Sequence, residues 1–121
     1  MSSGEAELAG IVKAASEGLG LRSLHIDHGL QISFELHADS SAAIGMAERV
    51  GIGRVRHIDV GQLWVQQRLR HKDFKLHKCL GTNNPADILT KHVARILLDA
   101  LLSRLGVCFE LGRAASAPEL V

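Results

Sequence analysis

Leu30-Gln31-Ile32-Ser33-Phe34-Glu35-Leu36-His37-Ala38-Asp39-Ser40-Ser41-Ala42-Ala43-Ile44-Gly45-Met46-Ala47-Glu48-Arg49-Val50 decides the fold. Leu30, Ile32, Phe34, Leu36 and Ala38 share one face at period two, and Gln31, Ser33, Glu35, His37 and Asp39 share the other, which predicts a half-buried strand. The alternation stops at Asp39. A run of helix formers follows, with Ser40 or Ser41 placed to accept the free amides of a first turn. Asp39 therefore stands at the carboxyl end of a strand, the edge of an open α/β sheet where ligands usually bind. The alternative is that Asp39 does no more than cap the helix behind it.

Outward from this stretch, the N-terminal side opens with a helix-start signature at Ser2-Ser3-Gly4-Glu5-Ala6-Glu7. Leu8, Ile11, Val12, Ala15 and Leu19 then recur at helical spacing, predicting about four turns that Gly18 and Gly20 end. Glu7 borders the apolar stripe. Leu21 to Gly29 reads as a connector, and its His25-x-Asp27-His28 cluster is better explained as a polar loop than as a metal site.

On the C-terminal side, Gly51-Ile52-Gly53 is a loop and Ile58 to Leu69 a helix whose Ile58, Val65 and Leu69 face the core, helped by Leu63 and Trp64. A basic turn, Arg68 to Lys72, ends it. Phe74-Lys75-Leu76-His77-Lys78 alternates as a second short strand, with His77 facing solvent. Asn83-Asn84-Pro85 announces a long helix over Ala86 to Leu105, with Leu89, Val93, Ile96, Leu97, Ala100 and Leu101 as its stripe and Gly106 as its stop. Asp87 lies in its first turn. The order helix, strand, helix, helix, strand, helix is α/β, with the strands expected to run parallel.

A chain of 121 residues holds one core. It is 46% apolar, with no Tyr, three Phe and one Trp, so Leu, Ile, Val and Ala must build that core and aromatic base-stacking platforms are excluded. No apolar run reaches the roughly 18 residues of a membrane span, and the start lacks a signal-peptide pattern, which together predict no membrane partner and an intracellular location, cytoplasmic or nuclear. Cys79 and Cys108 are expected to be reduced thiols. Charge is uneven. Residues 1–53 hold three Lys/Arg against seven Asp/Glu, a net −4, and residues 54–78 hold seven (Arg54, Arg56, Arg68, Arg70, Lys72, Lys75 and Lys78) against two, a net +5. An acidic cluster beside a basic one suits a polyanion that meets metal-binding carboxylates, although two ordinarily solvated faces would give the same count.

Three acids are singled out by position: Glu7, Asp39 and Asp87. Carboxylates converging from separate elements are what Mg²⁺ requires, and two such ions about 4 Å apart can clamp the attacking and leaving oxygens of a phosphodiester.

Four blocks carry a resemblance: Ser2-Ser3-Gly4-Glu5-Ala6-Glu7, Ala38-Asp39-Ser40-Ser41-Ala42-Ala43-Ile44, Arg56-His57-Ile58-Asp59-Val60 and Asn84-Pro85-Ala86-Asp87-Ile88-Leu89-Thr90-Lys91. In this order they resemble signature blocks of the ribonuclease H domain of copia-type retrotransposon Pol polyproteins, over nearly the whole chain. The resemblance implies a ribonuclease H-like α/β fold lacking its first three strands, with residues 1–106 as the partial domain and 107–121 as a loose C-terminal tail. It implies hydrolysis of the RNA strand of an RNA/DNA hybrid by two Mg²⁺, with Glu7, Asp39 and Asp87 as catalytic metal ligands. It also implies that Arg54, Arg56, His57, Arg68, Arg70, Lys72, Lys75 and Lys78 grip the nucleic-acid backbone.

The chain departs from that pattern in places. The strand that supplies the family's leading aspartate precedes the first helix and has no counterpart here. Leu8 replaces an aromatic residue, and Gly61-Gln62-Leu63-Trp64 replaces basic and aromatic ones. Weak Mg²⁺ binding and little cleavage by the isolated chain are therefore expected, with a non-catalytic nucleic-acid-binding or assembly module, or an inactive transposon remnant, as alternatives. The unpaired edge of the 30–38 strand is expected to support a homodimer.

Overall fold

A computed structural model describes residues 3–51, 53 and 60–112. Its elements in chain order are α1 (Ser3–Asp27), β1 (Glu35–Ala38), α2 (Ser41–Glu48), α3 (Val60–Arg70), β2 (Lys75–Lys78), a 3₁₀ turn at Gly81–Asn83, α4 (Asp87–Thr90) and α5 (Arg95–Arg104). The chain divides into two compact units, residues 1–82 and 83–121.

In the first unit β1 and β2 form a two-stranded parallel sheet, pairing Glu35 with Lys75, Leu36 with Leu76, His37 with His77 and Ala38 with Lys78. Leu36 faces inward and joins Leu8, Ile11, Ala15, Ala43, Ala47, Val65 and Phe74 in the core, so α1, α2 and α3, which supply all of these but Phe74, cover one face of the sheet. Small residues matter here: Ala15 and Ala43 are fully buried and let helices approach closely.

The strand is shorter than the alternation predicts. Leu30 and Ile32 remain exposed, burial begins at Phe34, and the ladder starts at Glu35. Ser40 is the residue that caps α2, its Oγ accepting from Ala43 N at 3.2 Å, so Asp39 is left outside the cap.

The first helix is longer than predicted. It runs through Gly18 and Gly20 to Asp27, taking in most of the segment read as a connector. A Cβ at Gly18 would fall 2.1 Å from Phe34 Cζ. This glycine is therefore a notch that seats the Phe34 ring, which lies 5.4 Å from Phe74.

α3 ends in a left-handed residue, Lys72 at φ 58°, with Asp73 N donating to Arg68 O at 3.1 Å and Lys72 N to Leu69 O at 3.0 Å. Within this helix Val65 is fully buried, Leu69 and Trp64 pack against the core, and Leu63 is exposed; Ile58 lies outside the described residues. The fully buried Gln66 went unread in the sequence. Its amide accepts from Gly51 N (3.1 Å) and donates to Gly51 O (3.1 Å) and Met46 O (3.0 Å), tying α3 to the chain leaving α2.

In the second unit the long helix predicted over Ala86 to Leu105 is broken. Lys91 (φ −136°, ψ 155°) and Ala94 (φ −61°, ψ 146°) are extended. Thr90 Oγ1 donates back to Ala86 O at 3.4 Å, a bond that bends helices, and β-branched Val93 follows. The predicted stripe breaks with it: Leu101 is buried, while Leu89 and Ile96 are almost wholly exposed. Gly106 (φ 71°) terminates α5, with Val107 N donating to Leu102 O at 3.0 Å and Gly106 N to Ser103 O at 3.1 Å.

Candidate functional site

Asp39 follows the last residue of β1 and precedes the cap of α2. It is half-buried. Its Oδ2 stands 3.9 Å from where a Cβ would sit on Gly81, ordinary van der Waals contact, so the 3₁₀ turn lies close against the carboxylate. Beside it Cys79 N donates to Ala38 O at 2.9 Å, and the Lys78 ammonium donates to Ser41 Oγ in the first turn of α2. A carboxylate at a strand end next to a lysine and a helix start is suited to a polar or charged ligand.

Glu7 is exposed on α1, next to the buried Leu8. Asp87 opens the short α4 of the second unit, and its carboxylate is paired at 3.0 Å with Nζ of Lys91, the residue that ends that helix. Within neither unit do three or more His, Cys, Asp or Glu side chains among the described residues form a group ready for a metal ion. Glu7 and Asp39 lie in the first unit and Asp87 in the second, so neither unit by itself holds all three carboxylates that the resemblance implies for two Mg²⁺. His25 and His28 are used otherwise, their Nδ1 atoms donating to Leu21 O (2.7 Å) and Leu24 O (2.8 Å) one turn back.

Of the basic residues singled out, Arg54, Arg56 and His57 lie outside the described residues. The other five follow one another in the first unit, from the end of α3 to the end of β2, and all are exposed. Arg68 is held by Asp73 (3.1 Å) with its guanidinium 5.7 Å over the Trp64 ring, and Arg70 Nε donates to Gln66 O at 3.3 Å. Lys75 is paired with Glu35 at 3.3 Å. These exposed ion pairs are worth little, and water or a phosphate can replace either partner at small cost. Beside α3 a cleft of about 550 Å³ is lined by Val50, Gly51, Leu63, Gln66, Gln67, Arg70 and His71. Arg70 and His71 give that cleft an edge suited to anions.

The sequence placed Glu35 and His37 on the outward face of the strand. It did not show which residues of the second strand stand across from them. In the structure Glu35, His37, Lys75 and His77 form one exposed cluster, with the two imidazoles stacked at 5.2 Å and Glu35 Oε2 at 3.8 Å from His77 Nε2. Only the register of the two alternating segments could have revealed it. Cys79 and Cys108 are free thiols, and no described helix is long and apolar enough to cross a membrane.

No family model matches the chain, and no solved structure matches it. Over 97 residues, 78% of its length, it is 31% identical to the retrovirus-related Pol polyprotein from transposon TNT 1-94 of Nicotiana tabacum. It spans 7% of that polyprotein. The similarity supports an origin of this chain in a retrotransposon Pol polyprotein.

Proposed function

We propose that the chain is a fragment of the ribonuclease H-like segment of a retrotransposon Pol polyprotein, one that holds RNA/DNA hybrid through its basic residues and cleaves it little or not at all. The observation that carries this reading is the similarity to a Pol polyprotein along most of the chain. The four ordered blocks that resemble the ribonuclease H domain support its finer part, as does the position of Asp39 between a parallel strand and a helix start. Asp39, Glu7 and Asp87 are the residues that would hold Mg²⁺, whose chemistry when bound is to activate water and steady the leaving oxygen. Little cleavage is expected because the chain departs from the ribonuclease H pattern at Leu8 and at Gly61-Gln62-Leu63-Trp64.

The test pairs two measurements on a labelled RNA/DNA hybrid. Fluorescence anisotropy should show binding that falls steeply with salt, because Lys and Arg release counterions from phosphates. A cleavage assay with Mg²⁺ should show little product; any cleavage that persists in Asp39→Asn removes Asp39 from the reaction. No binding at low salt would refute the reading. A symmetric dimer through the free edge of β1 belongs to the same proposal, and light scattering that reports a monomer at micromolar concentration would remove it.

A further inference from the structure

The outward face of the sheet carries two imidazoles that the ribonuclease reading does not use. His37 and His77 stand directly across the ladder, ring centroids 5.2 Å apart and planes inclined by 29°. Both side chains are open to solvent. One pleat away Glu35 bridges the pair's surroundings, Oε2 lying 3.8 Å from His77 Nε2 and Oε1 3.3 Å from Lys75 Nζ.

We propose that His37 and His77 form a two-imidazole chelate for a transition-metal dication of the Cu²⁺, Ni²⁺, Zn²⁺ class, pinning β1 to β2. Imidazole nitrogen suits these ions, and affinity for such a donor pair is highest for Cu²⁺. With metal–nitrogen bonds of about 2.0–2.1 Å, two nitrogens on one ion lie roughly 3 Å apart. Rings on register-paired residues reach that separation by turning out of their stack, and exposed side chains have the room to do so. Glu35 then fills a familiar supporting role, since a ligating imidazole donates its other N–H to a carboxylate, and Lys75 keeps that carboxylate in place. No third His, Cys, Asp or Glu among the described residues completes a ready group, so water fills the remaining positions. Hard Mg²⁺, which selects oxygen ligands, is not a ligand for this pair. The site shares Lys75 with the basic residues proposed to hold nucleic acid, but its two imidazoles belong to no part of that reading.

The test titrates Cu²⁺, Ni²⁺ or Zn²⁺ alone into the intact chain, followed by calorimetry, by the imidazole resonances in NMR and by thermal melting. The expected result is one ion per chain, shifts at the His37 and His77 rings, and a melting temperature that rises with metal because the ion ties two strands that part on unfolding. His37→Gln and His77→Gln, at exposed positions and checked for fold by circular dichroism, should each weaken binding by about tenfold or more and abolish the rise in melting temperature. The double variant His25→Gln, His28→Gln should leave both unchanged. Unaltered binding in His77→Gln, loss of binding in the His25/His28 variant, metal-driven dimerisation, or no binding at large molar excess would each overturn the proposal.

Discussion

Gly10, Gly18 and Gly20 lie in the same helix and have opposite expected responses to alanine. A Cβ at Gly10 or Gly20 meets nothing within 4 Å, so each substitution should gain the intrinsic helix preference of Ala over Gly, about 0.8–1 kcal/mol. At Gly18 the same Cβ would overlap the Phe34 ring, at 2.1, 2.4 and 2.6 Å from three of its atoms. The ring must leave its notch, which disturbs its contact with Phe74 at 5.4 Å. Overpacking of this kind costs about 1–3 kcal/mol, and the lost aromatic pair about 0.5–1.5 kcal/mol. Even after the propensity gain, Gly18→Ala should destabilise the first unit by about 1–2 kcal/mol. The two alanine variants at 18 and 20 should therefore differ by roughly 2–3 kcal/mol, or about 10 °C in melting temperature for a domain of this size. Urea and thermal unfolding followed by far-ultraviolet circular dichroism measure this directly. If Gly18→Ala stabilises as much as Gly20→Ala, the Phe34 ring does not occupy the notch, and the packing described for the N-terminal helix is wrong.

Gln66→Ala removes an amide that serves three backbone groups of Gly51 and Met46, and at about 1 kcal/mol each it should cost roughly 3 kcal/mol by chemical denaturation, whereas exposed Gln67→Ala should change stability by less than about 0.5 kcal/mol. Lys72→Gly relieves a left-handed residue and should stabilise the fold by about 1 kcal/mol, while anisotropy should show weaker hybrid binding at the same time because a cation facing the phosphates is lost. Ser40→Ala removes the cap of the helix after the first strand and should cost about 1 kcal/mol in urea unfolding, while Asp39→Ala, outside the cap, should cost much less.

Legibility in the sequence followed the physics of each segment. The junction from Glu35 to Glu48 was readable because period two gives way to a helical run behind a serine, a purely local signal. Val65 and Leu69 were readable from spacing, but Gln66 between them was not, since a buried amide is justified only by backbone groups supplied from another part of the chain. Gly18 and Gly20 read as a helix end because glycine disfavours helix, and the benefit that offsets this at Gly18 is a contact with Phe34, distant in sequence. The break after Thr90 was hidden by a regular apolar spacing that the structure leaves largely unburied, Leu89 and Ile96 included. Asp39 was placed correctly at the strand end by alternation alone. Whether Glu7 and Asp87 act with it is a question of tertiary arrangement on which local patterns are silent.

The parallel ladder has a kinetic consequence. Its rungs join residues 40 apart in the chain, Glu35 with Lys75 and His37 with His77, and the two intervening helices must be made before β1 finds its neighbour. Closing so long a loop gains only four rungs in return, so strand pairing should come late, after the helices have collapsed on one another. During synthesis the first strand leaves the ribosome about 40 residues ahead of the second, and its amides remain bonded to solvent until that partner emerges.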